Sequence, residues 1–128
     1  MAKFVVVEDN RLNLKLFTDL LEVNEHEVHS TQSGSDAFEL ISEIKPDVAI
    51  IDIQLPHTSG LEIVSQVRQS ADDDVNSIPC IAVTAFAFKE DEQNILDAGF
   101  DMYLAKPIDV TSFYKAIDSV LEELAVAC

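Results

Sequence analysis

Val48-Ala-Ile-Ile-Asp52 is the most informative stretch of this sequence, because an acid directly follows a continuous run of apolar residues. Phe4-Val-Val-Val-Glu8 shows the same pattern nearer the start of the chain. Neither run alternates between polar and apolar residues, which is typical of strands that are covered on both faces. The two runs therefore predict buried strands of a parallel sheet, each followed by a carboxylate.

Strand-like and helix-like segments alternate along the rest of the chain. The predicted strands are Phe4–Val7, Glu27–Ser30, Val48–Ile51, Cys80–Val83 and Met102–Ala105. The predicted helices begin near Asn10, after Gly34, after Gly60, at Lys89 and at Asp109. The helix from Lys89 to Ala98 is polar, with Ile95 and Leu96 as its only sizeable apolar anchors. Five strand–helix units predict a single α/β domain with a doubly wound, parallel five-stranded sheet, flavodoxin-like, in the strand order 2-1-3-4-5. We expect the Asp72–Ser77 stretch to be a surface loop.

Length and charge narrow the possible classes of function. A chain of 128 residues, 48% of them hydrophobic, can build one domain with a real core. A formal net charge of −16 disfavours binding to nucleic acid or to anionic membranes. No apolar stretch is long enough for a signal peptide or a membrane span, so we expect a cytoplasmic protein. Cys80 and Cys128 lack metal-ligand spacing, and Cys80 is predicted to be a small buried residue.

The side chains that can carry chemistry follow the predicted strands, and they are Glu8, Asp9, Asp52, Thr84 and Lys106. Ligands bind beyond the carboxyl ends of strands in an open parallel sheet, so we expect these side chains to meet there. Clustered carboxylates repel one another unless a cation is bound, and an oxygen-only ligand set favours Mg²⁺. Lysine and threonine can bind phosphate oxygens. Asp52 is then the candidate nucleophile that forms an acyl-phosphate.

Four short motifs carry a resemblance to a known family. They are Val7-Glu8-Asp9-Asn10, Ile51-Asp52-Ile-Gln-Leu-Pro56 with Gly60, Thr84-Ala85 and Lys106-Pro107. Each motif alone is weak, but in this order and at these strand ends they are specific. The chain resembles the response-regulator receiver family over essentially its whole length. It is most similar to the DivK-like single-domain regulators.

The resemblance implies a role for each of these residues. Asp52 would be the phosphoacceptor, taking a phosphoryl group from a phosphohistidine on a sensor histidine kinase or a histidine phosphotransfer protein. The implied protein ligands of Mg²⁺, for which Mn²⁺ could substitute, are Glu8, Asp9, Asp52 and the backbone carbonyl of Gln54. Lys106 would bind phosphate, and its bond to Pro107 would be cis. Thr84 and Tyr103 would form a switch pair that responds to phosphorylation.

The resemblance also implies how the protein transmits its signal to other proteins. We expect residues 1–128 to form a receiver domain without an output domain, acting by protein–protein contact in cell-cycle or polarity control. We expect a monomer, or a dimer on phosphorylation, that catalyses only its own phosphorylation and dephosphorylation. The phosphate lifetime stays open, because Gln54 and the bulky Phe86 flank the expected path of the hydrolytic water.

Two other classes of protein compete with this interpretation. A haloacid-dehalogenase-type phosphatase also uses a strand-end aspartate, but it wants a second acid at position 54, which here is Gln. A flavodoxin should have a phosphate loop rich in Ser, Thr and Gly where this chain has Glu8-Asp9. The remaining candidates for chemistry, His26, His29 and His57, have no ligand spacing, and we interpret them as surface residues.

Overall fold

The computed structural model describes residues 2–85 and 89–127. Its elements are β1 (Lys3–Val7), α1 (Arg11–Val23), β2 (Glu27–Thr31), α2 (Gly34–Ile44), β3 (Val48–Asp52), α3 (Gly60–Arg68), α4 (Asp73–Asn76), β4 (Cys80–Thr84), α5 (Lys89–Ala98), β5 (Met102–Ala105) and α6 (Val110–Ala127). All strand pairs are parallel, in the order β2-β1-β3-β4-β5. The predicted sheet and its strand order are confirmed.

The sheet separates two apolar cores. Alternate residues of β1 and β3 face one core with α2, α3 and α5, and the others face a second core with α1 and α6. Every residue of β3 is buried, which explains why its sequence is continuously apolar. In the second core, the rings of Phe17 and Phe113 stack with centroids 5.5 Å apart and join α1 to α6.

Local signals at the strand ends start the helices beside the predicted site. The side chain of Asn10 accepts hydrogen bonds from the backbone N–H groups of Leu12 and Asn13, and so caps α1. Gly60 begins α3 directly against the end of β3. A Cβ at this position would lie 2.5 Å from the carbonyl oxygen of Asp52, so only glycine allows this approach.

Three predictions about individual segments need correction. Asp72–Ser77 is not simply a loop, because it contains the one-turn helix α4, whose Val75 is buried in the first core. His26 is half-buried rather than on the surface, since its ring lies 5.0 Å from that of Phe4 and its Nδ1 accepts a hydrogen bond from the backbone of Ala2. Leu96, a predicted anchor of α5, is 42% exposed.

The structure also tests what the composition predicted about the cysteines and about membrane spans. Cys80 is a free, fully buried residue, as predicted, and burial raises the pKa of its thiol to about 12. Cys128 lies outside the described residues. Within the described ranges, no helix combines the length and the apolar character needed to cross a membrane.

Candidate metal and phosphoacceptor site

The structure brings the three predicted carboxylates together at the carboxyl edge of the sheet. Val7 pairs with Ile51 in the β1–β3 register, so Glu8 and Asp52 are neighbours just beyond that pair. One oxygen each from Glu8, Asp9 and Asp52 lies within 4.8 Å of the other two. The side chains of Glu8 and Asp52 are buried whereas Asp9 is exposed, so the cluster opens to solvent on the side of Asp9.

Lys106 supplies the one positive charge that contacts this cluster in the described part of the chain. Its Nζ donates a hydrogen bond of 2.9 Å to Asp52 Oδ2 and lies 3.3 Å from Glu8 Oε1. Burial alone would lower the pKa of Lys106, but the hydrogen bond to Asp52 and the charges of Asp52 and Glu8 raise it above its ordinary value. The Lys106–Pro107 bond is cis, as the resemblance implied.

The Glu8 carboxyl shows that the cluster is short of positive charge. Burial and the adjacent Asp52 raise the pKa of Glu8 to about 8, although Lys106 and the backbone N–H of Asn10 oppose this rise. Glu8 Oε1 is buried, and its one cationic contact among described groups is the Lys106 ammonium at 3.3 Å, which makes no well-aligned hydrogen bond to it. A buried carboxylate oxygen without a well-aligned donor is costly, and a second cation would stabilise it. An oxygen-only donor set of short acidic side chains fits Mg²⁺.

The end of β4 contacts this site through the side chain of Gln54. Gln54 Nε2 donates to Thr84 Oγ1 at 3.0 Å, and Gln54 Oε1 accepts from the backbone N–H of Ala85 at 3.0 Å. The backbone N–H of Gln54 itself donates to Asp52 Oδ1 at 3.0 Å. Gln54 therefore joins the candidate nucleophile to the residue pair Thr84-Ala85 on the next strand.

Tyr103 lies on β5, at the edge of the sheet, where it is half-buried against the first core. The nearby carboxylate of Glu92 on α5, together with burial, raises the pKa of Tyr103. Thr84 pairs with Ala105 and Ala82 pairs with Tyr103 in the β4–β5 register, so the two predicted switch residues lie on neighbouring strands. Their coupling stays a prediction, and Phe86 lies outside the described residues.

Sequence reasoning missed the contacts of the Gln54 side chain with Thr84 and Ala85. It assigned the backbone carbonyl of Gln54 to metal binding and placed Gln54 beside the path of the hydrolytic water, and both roles stay predictions. The missed contacts arise because the loop after β3 turns the amide towards β4. The only available signal was an amide side chain close behind a strand-end aspartate, which does not specify a direction.

The comparison with known families decides what kind of domain carries this site. The family model described as "Response regulator receiver domain" matches residues 4–118, which is most of the chain. The chain belongs to this family. The match favours a receiver domain over the phosphatase and flavodoxin alternatives.

Individual relatives and solved structures agree with the family match. This receiver domain is 47% identical over 122 residues to the polar-differentiation response regulator DivK of Brucella ovis, covering 94% of this chain and 98% of that protein. The chemotaxis response regulator CheY4 of Vibrio cholerae has the same fold, with a TM-score of 0.87, 25% identity and coverage of 94% and 98%.

A third similar protein is informative about the metal. The receiver domain of the sensor histidine kinase PA1611 from Pseudomonas aeruginosa has a TM-score of 0.84, 26% identity and coverage of 94% of this chain and 98% of that one. Its solved structure contains a magnesium ion coordinated in the active-site cleft.

Proposed function

We propose that Asp52 accepts a phosphoryl group from a phosphohistidine and that phosphorylation changes which proteins this receiver domain binds. The observation that carries the proposal is the meeting of Glu8, Asp9, Asp52 and Lys106 at one edge of the sheet. A sensor histidine kinase or a histidine phosphotransfer protein in the cytoplasm would be the donor. The polar-differentiation role in the name of the DivK relative supports a function in cell polarity or the cell cycle.

The residues of the site have separate tasks in the transfer. A carboxylate oxygen of Asp52 forms a bond to phosphorus while the bond from phosphorus to the imidazole nitrogen of the donor breaks, and the imidazole keeps the electron pair. The ammonium of Lys106, already 2.9 Å from Asp52, would meet the oxygens of the transferred group, as would the Thr84 hydroxyl. The backbone N–H of Gln54 orients Asp52 through Oδ1.

The buried acids need a cation for this chemistry. Mg²⁺ bound by Glu8, Asp9, Asp52 and the Gln54 carbonyl, with Mn²⁺ as a substitute, would supply the positive charge that offsets the incoming phosphoryl charge. The raised pKa of Glu8 and its buried Oε1, which lacks a well-aligned hydrogen bond, support this assignment. Without that charge, the phosphoryl group would meet a cluster of carboxylates.

We also propose that α5, β5 and α6 form the face that changes on phosphorylation. Ile95 is the one fully buried apolar side chain among the described side chains of α5, and Leu96 is 42% exposed. A helix with so few apolar anchors can shift between two positions at a small cost in free energy. The expected response is a change in the partners of a monomer, or dimerisation.

Phosphorylation of the purified protein with acetyl phosphate and Mg²⁺ tests the role of Asp52. We expect one phosphate per wild-type chain and none on D52N, because an amide cannot form the acyl-phosphate. Asp19→Asn is the matched control, since Asp19 is exposed on α1 and pairs with Lys15, and it should be phosphorylated like the wild type. Intact-protein mass spectrometry measures the label. Equal label on D52N, or repeated turnover of a small phosphate ester, would contradict the proposal.

A further inference from the structure

We propose that the Gln54 side chain is a positioning residue that competes with the phosphoryl group for the backbone N–H of Ala85, directly after β4. This inference rests on the proposed phosphorylation of Asp52. The Gln54 amide contacts both the hydroxyl oxygen of Thr84 and the backbone N–H of Ala85, each at 3.0 Å. Both groups lie at the end of β4, the neighbour of the strand that carries Asp52. Thr84 accepts from Gln54 through a lone pair of its oxygen, so the competition concerns the Ala85 N–H alone.

The geometry explains why the amide and the phosphoryl group would meet the same backbone donor. Asp52 pairs with Val83 in the β3–β4 register, and the backbone of Ile53 donates to the carbonyl of Val83 at 2.9 Å. Thr84 and Ala85 therefore begin immediately beside Asp52. The backbone N–H of Ala85 is a single donor, and Gln54 Oε1 accepts its hydrogen bond. A phosphoryl oxygen on Asp52 can take that donor only when Gln54 releases it.

The structure also contains a place that can receive the released amide. A cavity of about 100 Å³ lies beside Gln54 and Thr84 and is lined on the α5 side by Asp91 and Asn94. This volume exceeds the roughly 30 Å³ that one water occupies in the liquid, and Asp91 and Asn94 can hydrogen-bond to an amide. Turning into the cavity would move the contacts of Gln54 from β4 to α5, so its displacement would couple phosphorylation to α5.

A simpler possibility is that Gln54 only holds the loop after β3 against β4. The two roles predict opposite effects of removing the amide. If Gln54 merely supports the site, its loss weakens phosphoryl binding. If it competes, its loss strengthens phosphoryl binding, because the Ala85 N–H no longer has to exchange one acceptor for another. Gln54→Met removes the amide, roughly keeps the side-chain length and retains the backbone carbonyl.

Titration with beryllofluoride, which binds a carboxylate as an analogue of the phosphoryl group, separates these roles. Each protein is titrated at a Mg²⁺ concentration that saturates it, with fluoride in excess. We expect Q54M to bind beryllofluoride up to about tenfold more tightly than the wild type, the effect of losing one competing hydrogen bond at the upper end of ordinary net strength. Gln69→Met is the matched control, because the Gln69 amide is exposed and contacts only Ser65 Oγ among described groups; its affinity should equal that of the wild type.

The hydrogen bond itself can be followed without metal or analogue. The amide proton of Ala85 should shift upfield in the NMR spectrum of Q54M, because it loses its carbonyl acceptor, and should not move in Q69M. In the wild type, beryllofluoride should shift the side-chain NH₂ signals of Gln54. Gln54→Ala provides a second variant with the same expected directions.

The outcomes distinguish this inference from the function on which it rests. If the wild type binds beryllofluoride, and Q54M and Q54A bind it equally tightly or more weakly, the proposed competition by Gln54 is wrong. The phosphoacceptor role of Asp52 would be unaffected by that result. An Ala85 amide signal that is unchanged in both variants would also overturn the competition alone. Failure of every protein, wild type included, to bind beryllofluoride would remove the phosphoacceptor role of Asp52 and the inference with it.

Discussion

The buried carboxyl of Glu8 makes stability depend on pH in the absence of metal. Because its pKa is raised from 4.5 to about 8, the folded state holds the proton more tightly than the unfolded state does. Stabilisation by this group is therefore complete below about pH 4.5 and declines as pH rises to about 8. We expect the free energy of unfolding in EDTA to fall between about pH 6 and about pH 8.5, with the slope that linkage to a single proton requires. Urea unfolding at the two pH values measures it.

Glu8→Gln is the control for this pH dependence, since glutamine carries no titrating proton at the same place. E8Q should lose the decline in stability between the two pH values. Added Mg²⁺ should stabilise the wild type more at the higher pH than at the lower one, because Glu8 must release its proton before it binds the ion. A decline that persists unchanged in E8Q, or equal stabilisation by Mg²⁺ at both pH values, would argue against this account of Glu8.

For single residues, the sequence predicts where a residue lies in the fold better than it predicts which groups its side chain contacts. Glu8, Asp52 and Lys106 were predictable as neighbours because each follows a strand, and parallel strands end at one edge. The contacts of the Gln54 amide depend on how the loop after β3 turns, which composition does not specify. His26 was misjudged for a similar reason, since its contact with the first residues of the chain comes from tertiary packing.

At the scale of elements, Arg68 at the end of α3 holds several chain connections together. Its guanidinium donates to the carbonyl oxygens of Asn76, Ile78 and Gly99 and to the carboxylate of Asp101. These groups lie at the ends of α4 and α5 and at the starts of β4 and β5. We expect R68A to lower the free energy of unfolding by about 2 kcal/mol, because partly buried hydrogen-bonding groups lose a charged donor.

Arg11→Ala is the matched control for R68A, because Arg11 is an exposed arginine on α1. It should change the free energy of unfolding by no more than about 0.5 kcal/mol. Urea unfolding monitored by circular dichroism measures both variants. An equal decrease in the free energy of unfolding in both variants would show that the contacts of Arg68 stabilise the fold no more than an exposed arginine does.

Long helices and continuously apolar strands were predicted from the sequence, whereas the shortest helix was not. The long helices carry several apolar residues at helical spacing, and the central strands are continuously apolar, so both leave a clear pattern. The helix α4 has four residues and only Val75 in the core, which is too short for any periodicity to show. In α5, the spacing of apolar residues alone could not show that Ile95 would be buried and Leu96 exposed at 42%.

At the scale of the whole molecule, the charge is far from balanced. The chain has 24 Asp and Glu residues against 8 Lys and Arg residues, so most carboxylates have no basic partner even if every cation is paired. Four of the cations, Lys3, Lys15, Lys45 and Arg68, already pair with acids at the surface. The net repulsion destabilises the compact state, since unfolding moves like charges apart.

Salt should therefore stabilise this protein by screening. Raising NaCl from about 0.01 M to about 1 M shortens the Debye length from roughly 30 Å to roughly 3 Å, so we expect Tm in EDTA to rise across this range. The control is the double variant E8Q/D52N, in which the metal cluster is largely neutralised. Screening acts over the whole surface, so Tm of the double variant should rise by nearly as much as that of the wild type. A rise confined to the wild type would instead mean that Na⁺ stabilises the protein by occupying the carboxylate cluster.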